Sequence, residues 1–180
     1  GMELRDAGIK SPILVLSGGA DSFDEIIDHD LEPGIPNLYS LKALCGILEK
    51  RGVEDFPVHI KLDSGMHRLG FMTEEMDELI EFIKDCRWVK VKSVYSHLAA
   101  ADEPDSDDFT LGQIRLFKEN ADRLTAAIVY KPIYHVLNSA GIERFPQYQF
   151  DMVRLGIGIY GVSAIPGVRL SPVASFKCKV

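Results

Sequence analysis

With 180 residues, the chain can hold one domain, or one domain and part of a second, and an apolar share of 46% is enough for a sizeable core and argues against a disordered chain. A formal net charge of -7 gives no support to nucleic acid or an anionic membrane as partner, and no run approaches the roughly 18 apolar residues of a spanning helix. Cys45, Cys86 and Cys178 are odd in number and lack metal-ligand spacing, so the expectation is no metal, no disulfide framework and a reducing, cytoplasmic setting.

Met2 to Ile9 reads as the tail of a helix stopped by Gly8. Ile13 to Leu16 is a short strand closed by Ser17-Gly18-Gly19. Its continuous apolar character fits a strand covered on both faces. Ser22 to Glu25 has capping-box spacing and opens a helix. Pro33 to Pro36 reads as a turn, and Ile35 to Tyr39 as a weak second strand. Ser40 is expected to cap the next helix, with Leu41, Leu44, Ile47 and Leu48 on one face and Gly52 as its stop. Val58 to Leu62 is the third strand, followed by a glycine-containing loop from Asp63 to Gly70. Thr73 opens a helix with an acidic first turn and a stripe of Met76, Leu79, Ile80 and Ile83. Val89 to Tyr95 is the fourth strand, and Asp102 to Asp108 an acidic loop. Thr110 to Ile128 is helical, with Ile114, Phe117, Ala121 and Leu124 on one face. Ile133 to Leu137 is the fifth strand, Asn138 to Gln149 a loop, and Met152 to Tyr160 a glycine-rich sixth strand.

Strands alternating with amphipathic helices predict an α/β fold of the TIM (β/α) barrel type. About six strands are too few to close an eight-stranded barrel, so an incomplete barrel over 1–165 is expected, with two further β/α units preceding Met2. Pro166-Gly167 breaks the pattern. The alternation from Leu170 to Val180 predicts that 166–180 starts a C-terminal β domain.

In such a barrel the carboxyl ends of the strands converge on one mouth, where ligands bind. Here those ends carry Lys61, His97, Asn138-Ser139-Ala140-Gly141 and Arg154-Leu155-Gly156-Ile157-Gly158. Arg68 lies in the loop after the third strand. A hydroxyl and exposed amides in a small-residue turn can hold phosphoryl oxygens, and glycine permits close backbone approach to an anion. Arg154 lies within an apolar run and needs partners, because a guanidinium stays charged. Each feature has a structural alternative. Arg154 can form an internal salt bridge to Asp63 or Asp151, His97 can be a satisfied core histidine, and Lys61 a solvated lysine. No P-loop, dinucleotide fingerprint or nucleophile elbow is present.

Three segments together resemble the barrel motifs of alanine racemases. They are Lys61-Leu62-Asp63-Ser64-Gly65-Met66-His67-Arg68-Leu69-Gly70, Ser96-His97-Leu98-Ala99-Ala100-Ala101-Asp102, and Asn138 to Gly141 followed by Asp151 to Gly161. The likeness runs in family order along essentially the whole chain. It implies a pyridoxal 5'-phosphate enzyme that interconverts L-alanine and D-alanine for peptidoglycan, working in the cytoplasm as a homodimer. By resemblance Ser139, Gly156 and Ile157 contact the cofactor phosphate and Asn138 shapes their loop. Arg154 faces the pyridine nitrogen with His97 supporting it, Arg68 reaches the phenolic oxygen and substrate region, and Lys61 matches a position carbamylated in many members. The resemblance assigns no catalytic residue in this chain. The family's Schiff-base lysine lies in an A-V-V-K-A-N-A-Y-G-H-G motif, and its opposite-face tyrosine in the later β domain; neither segment occurs among these residues. An inactive fragment, without cofactor of its own and able to self-associate, is therefore expected. The alternatives are another barrel-type pyridoxal phosphate racemase or decarboxylase, and a non-catalytic structural fragment.

Overall fold

A computed structural model of the chain describes residues 1–172. Five parallel strands form one sheet in sequence order: β1 (Leu14–Val15), β2 (Glu32–Ile35), β3 (Phe56–Lys61), β4 (Val89–Tyr95) and β5 (Ile133–His135). Parallel neighbours need crossovers, and helices supply them. Helix α1 (Met2–Asp6) precedes the sheet. Helices α2 (Phe23–Asp28), α3 (Leu38–Arg51), α4 (Met76–Lys84) and α5 (Asp107–Ala127) occupy the successive gaps, and α6 (Ser139–Arg144) follows β5.

The two faces of the sheet differ in chemistry. Ile35, Val58, Ile60, Val91, Val94 and Tyr134 join the apolar core. The expected helix stripes supply its other side, with Leu44, Leu48, Met76, Leu79, Phe117, Ala121 and Leu124 all fully buried. The intervening residues Gly34, His59, Lys61, Ser93, Tyr95 and His135 lie outside that core. Pairing sets Gly34 beside His59, His59 beside Ser93, Lys61 beside Tyr95, and Tyr95 beside His135. A side-chain period of two makes these one face. This face of an open β/α arc is polar, so the sheet is not covered by apolar residues on both sides.

Several expectations change. The second strand is Glu32–Ile35, so Pro33-Gly34 lies in a strand rather than a turn. Gly34 is required there because a Cβ would stand 2.5 Å from the Tyr95 hydroxyl. The cap of α3 is Asn37, whose side chain accepts from Ser40 N at 2.8 Å, and Ser40 lies within the helix. Ser22 makes no capping bond; its hydroxyl donates to Gly19 O at 2.7 Å. The predicted loop after β5 contains α6, capped by Asn138. Met152 to Tyr160 is not a sixth strand. Met152 and Arg154 donate to Tyr134 O and Leu137 O at 3.3 and 3.0 Å, and the chain then coils into a 3-10 turn, Ile157–Tyr160. The sheet therefore has five strands where about six were expected, and remains an incomplete barrel. Residues 166–172 contain no strand; from Val173 onward the predicted β segment lies outside the described residues.

Candidate anion and cofactor site

The third β/α loop is folded back on its own strand. Phe71 N donates to Lys61 O, and Asp63 N to Phe71 O, both at 2.8 Å. Asp63 accepts from the amides of Gly65 and His67 at 2.9 and 3.1 Å. Gly70, at φ +127, makes the return possible; a Cβ there would stand 2.6 Å from the backbone of Leu62 and Asp63. The result brings Arg68 to the mouth. A cavity of about 380 Å³ is lined by Lys61, Arg68, Tyr95, His97 and Arg154. A second, of about 580 Å³, is lined by His97, Asn138, Ser139, Arg154, Gly156 and Ile157. Leu16, His97 and Arg154 line both, so the two cavities adjoin, and each of the eight sequence-predicted positions lines one or the other.

Ser139 is the focus of the second cavity. Its hydroxyl oxygen accepts from the amides of Gly156 and Gly158 at 2.9 and 3.1 Å. Both lone pairs are engaged, so its own proton is free to donate. The second amide belongs to Gly158, while Ile157 lines the cavity. Asn138 fixes this turn from both sides: its carbonyl accepts from Gly141 N at 2.9 Å, and its amide donates to Leu98 O at 3.2 Å. Gln113 of α5 holds the neighbouring loop by accepting from Ala99 N at 2.9 Å.

Arg154 makes no ion pair with a carboxylate among the described residues. Asp151 instead pairs with Lys131 at 3.1 Å and accepts from Tyr134 N at 2.9 Å. The guanidinium donates to Ser96 O at 2.5 Å, to Val136 O at 3.3 Å, and to His135 through Nδ1 at 2.7 Å and O at 3.1 Å. His97 Nδ1 is more distant, at 3.4 Å. Burial pushes Arg154 down to about 10, which leaves it charged at neutral pH. Burial, with Arg154, Lys61 and Arg68 nearby, pushes His97 down to about 4. Burial and the neighbouring Arg154 and Arg68 push Lys61 down to about 8.

His135 is the residue of this network that sequence reasoning missed. It stacks on Tyr95 with ring centroids 5.1 Å apart and planes 2° from parallel. Because Arg154 can only donate, His135 Nδ1 must accept, so the neutral ring carries its proton on Nε2. That proton goes to Ser93 Oγ at 2.9 Å, and Ser93 donates to His59 Nδ1 at 2.5 Å. His59 Nε2 donates to Glu32 at 2.9 Å, and Lys92 donates to the other carboxylate oxygen at 2.6 Å. Burial holds His135 at about 3 and His59 below its ordinary value, consistent with neutral rings. Strand pairing passes from Val91 to Ser93 opposite Val58 and His59, which leaves Lys92 as a bulge residue. The sequence signal was the two-residue spacing of His59 and Lys61, and of Ser93 and Tyr95.

The chain matches the family model described as alanine racemase, N-terminal domain, over residues 1–164. It is 35% identical to the alanine racemase of Sorangium cellulosum over 99% of this chain and 48% of that protein. It is 36% identical to that of Synechocystis over 100% of this chain and 50% of the relative. The chain thus spans about half the length of the curated relatives it matches. Among solved structures, alanine racemase from Corynebacterium glutamicum superposes with a TM-score of 0.83 at 28% identity, covering 95% of this chain and 48% of that one. The Bacillus anthracis enzyme with bound L-Ala-P gives 0.82 at 28% identity, covering 95% and 46%.

Proposed function

The chain belongs to the alanine racemase N-terminal domain family, and from that membership we propose that it is the cofactor-binding barrel portion of an enzyme that interconverts L-alanine and D-alanine. The observation that carries the reading is the convergence of Ser139, Gly156, Arg154, His97, Lys61 and Arg68 on one mouth. Three cations and an outward-facing hydroxyl in an acidic protein suit a phosphorylated, aromatic cofactor, and these residues fit pyridoxal 5'-phosphate. When bound, that group supplies an electron sink for a carbanion at the substrate α-carbon.

Ser139 donates to the phosphate and gathers the glycine amides beside it. Arg154 offers a donor to the ring nitrogen while retaining its proton at neutral pH. His135 and the Ser96 and Val136 carbonyls hold the guanidinium in place. Arg68 holds negative charge near the reacting end. The neutral fraction of Lys61 is available to condense with carbon dioxide, and the resulting carbamate would place a negative charge beside Arg68 and Arg154. The residues that move the α-proton are not among these 180. The polypeptide alone is accordingly proposed to be inactive, and the complete enzyme to act as a cytoplasmic homodimer supplying D-alanine for peptidoglycan.

The test is to supply the full-length protein with pyridoxal phosphate and follow D-alanine formed from L-alanine. The expected result is turnover of alanine with the absorbance of bound cofactor. Efficient turnover of a larger basic amino acid, with none of alanine, would overturn the substrate assignment.

A further inference from the structure

Cys45 and Cys86 lie away from the mouth and have no part in the function proposed above. Cys45 is on α3, and Cys86 is in the short link between α4 and β4. They are 41 positions apart, yet their sulfurs are in contact at 3.4 Å. Both are free thiols; Cys45 is buried and Cys86 half-buried. They line a cavity of about 490 Å³ together with Lys42, Glu49, Phe82 and Trp88, and Cys86 is the less buried of the two.

We propose that Cys45 and Cys86 form a dithiol site that closes reversibly to an intramolecular disulfide by exchange with a small disulfide such as glutathione disulfide. Closure from 3.4 Å to the roughly 2.05 Å of an S–S bond needs about 1.4 Å of movement. Such a shift lies within reach of side-chain rotation and the link after α4. The order of attack follows from the surroundings. The Cys45 sulfhydryl and the amides of Trp88 and Val89 donate toward Cys86 and favour its thiolate, whereas contact with Cys86, burial and Glu49 hold Cys45 protonated. Cys86 thiolate attacks one sulfur of glutathione disulfide, breaking that bond and releasing one glutathione thiolate. Cys45 then loses its proton and attacks the Cys86 sulfur, releasing the second glutathione. The two cysteines lose two electrons, glutathione disulfide gains two, and the two thiol protons leave with the two glutathione molecules.

Position separates this site from the chemistry. Cys86 lies before the amino end of β4, whereas Lys61 and Tyr95 end β3 and β4 at the mouth. From the first to the seventh residue of β4 the chain covers roughly 20 Å at about 3.3 Å per step. A crosslink here ties α3 to the foot of β4, on the side of a β/α barrel associated with stability.

The experiment treats the folded, fully reduced full-length protein with glutathione disulfide, followed by acid quenching and peptide mapping without reductant. The expected product is the Cys45 peptide joined to the Cys86 peptide, reversed by dithiothreitol. Tm should rise by about 5 °C or more because a long loop is closed. Cys45→Ser should trap glutathione on Cys86, and Cys86→Ser should leave Cys45 unmodified. If the wild-type protein in its native state keeps a persistent glutathione adduct on Cys86, or links the pair only after denaturant is added, the proposal is wrong. Neither readout depends on alanine turnover, so failure here is distinct from failure of the proposed function.

Discussion

Arg154, His97, Ser139 and Gly156 were legible as residues that line the mouth because each breaks a pattern: a cation in an apolar run, an imidazole at a strand end, small residues where a strand should bury bulk. His135 was not, because a histidine within a strand carries no mark until its neighbours are known. Its importance comes from Arg154, which has no carboxylate among the described residues and lies 2.7 Å from His135 Nδ1. The two main roles are separable in the full-length enzyme. Ser139→Ala removes the hydroxyl at the focus of the two amides. One hydrogen bond to a charged group is worth roughly 1.5–3 kcal/mol, so cofactor affinity should fall about ten- to a hundredfold in a dialysis or fluorescence titration. Arg154→Ala should change the absorbance of the bound cofactor while the phosphate grip persists. Equal retention and unchanged spectra in both variants would remove the assigned roles.

Elements were read best where periodicity was strong. The predicted β4 coincides with Val89–Tyr95, and the buried stripes of α3, α4 and α5 fall where the sequence placed them, except that Ile47 and Ile80 are half-buried. Misreadings concentrate where local chemistry favours one answer and tertiary contact another. Pro33-Gly34 carries a turn signature, yet the strand wins because Glu32 N bonds to Ile13 O and the glycine lets Tyr95 approach. The sixth segment has a strand's composition, but its chain turns at Gly156 so that two amides meet Ser139. Gly34→Ala tests the first case. Its Cβ would press on the Tyr95 hydroxyl, and Tyr95 is stacked on His135. A loss of about 1–3 kcal/mol is expected in urea unfolding. Gly46→Ala is the matched comparison, because nothing lies within 4 Å of a Cβ there and α3 gains helix propensity. It should stabilise by about 0.5–1 kcal/mol. Equal effects of the two substitutions would show that Tyr95 does not occupy the space over Gly34.

For the molecule as a whole, the order of β/α units was legible, but the polar relay that fills one face of the sheet was not, since it depends on cross-strand register. That relay makes stability depend on pH. His59, His97 and His135 are all held below their ordinary value of 6.5 when folded, the last two at about 4 and about 3. The unfolded chain therefore binds more protons between those values and 6.5. Stability is fully present above about pH 6.5 and is lost as pH falls through this window, by about 1.4 kcal/mol per pH unit for each histidine still neutral. Urea unfolding between pH 7 and 5 should show this slope, reduced by nearly one proton in His135→Gln; a flat profile would mean that the rings are not held neutral. The proposed function rests on the mouth itself. A crystal structure of the full-length protein with pyridoxal phosphate tests it most directly. The prediction is a phosphate hydrogen-bonded to Ser139 beside Gly156, with Arg154 facing the ring nitrogen. A cofactor phosphate bound elsewhere, with Ser139 and Arg154 both out of contact with the cofactor, would contradict it.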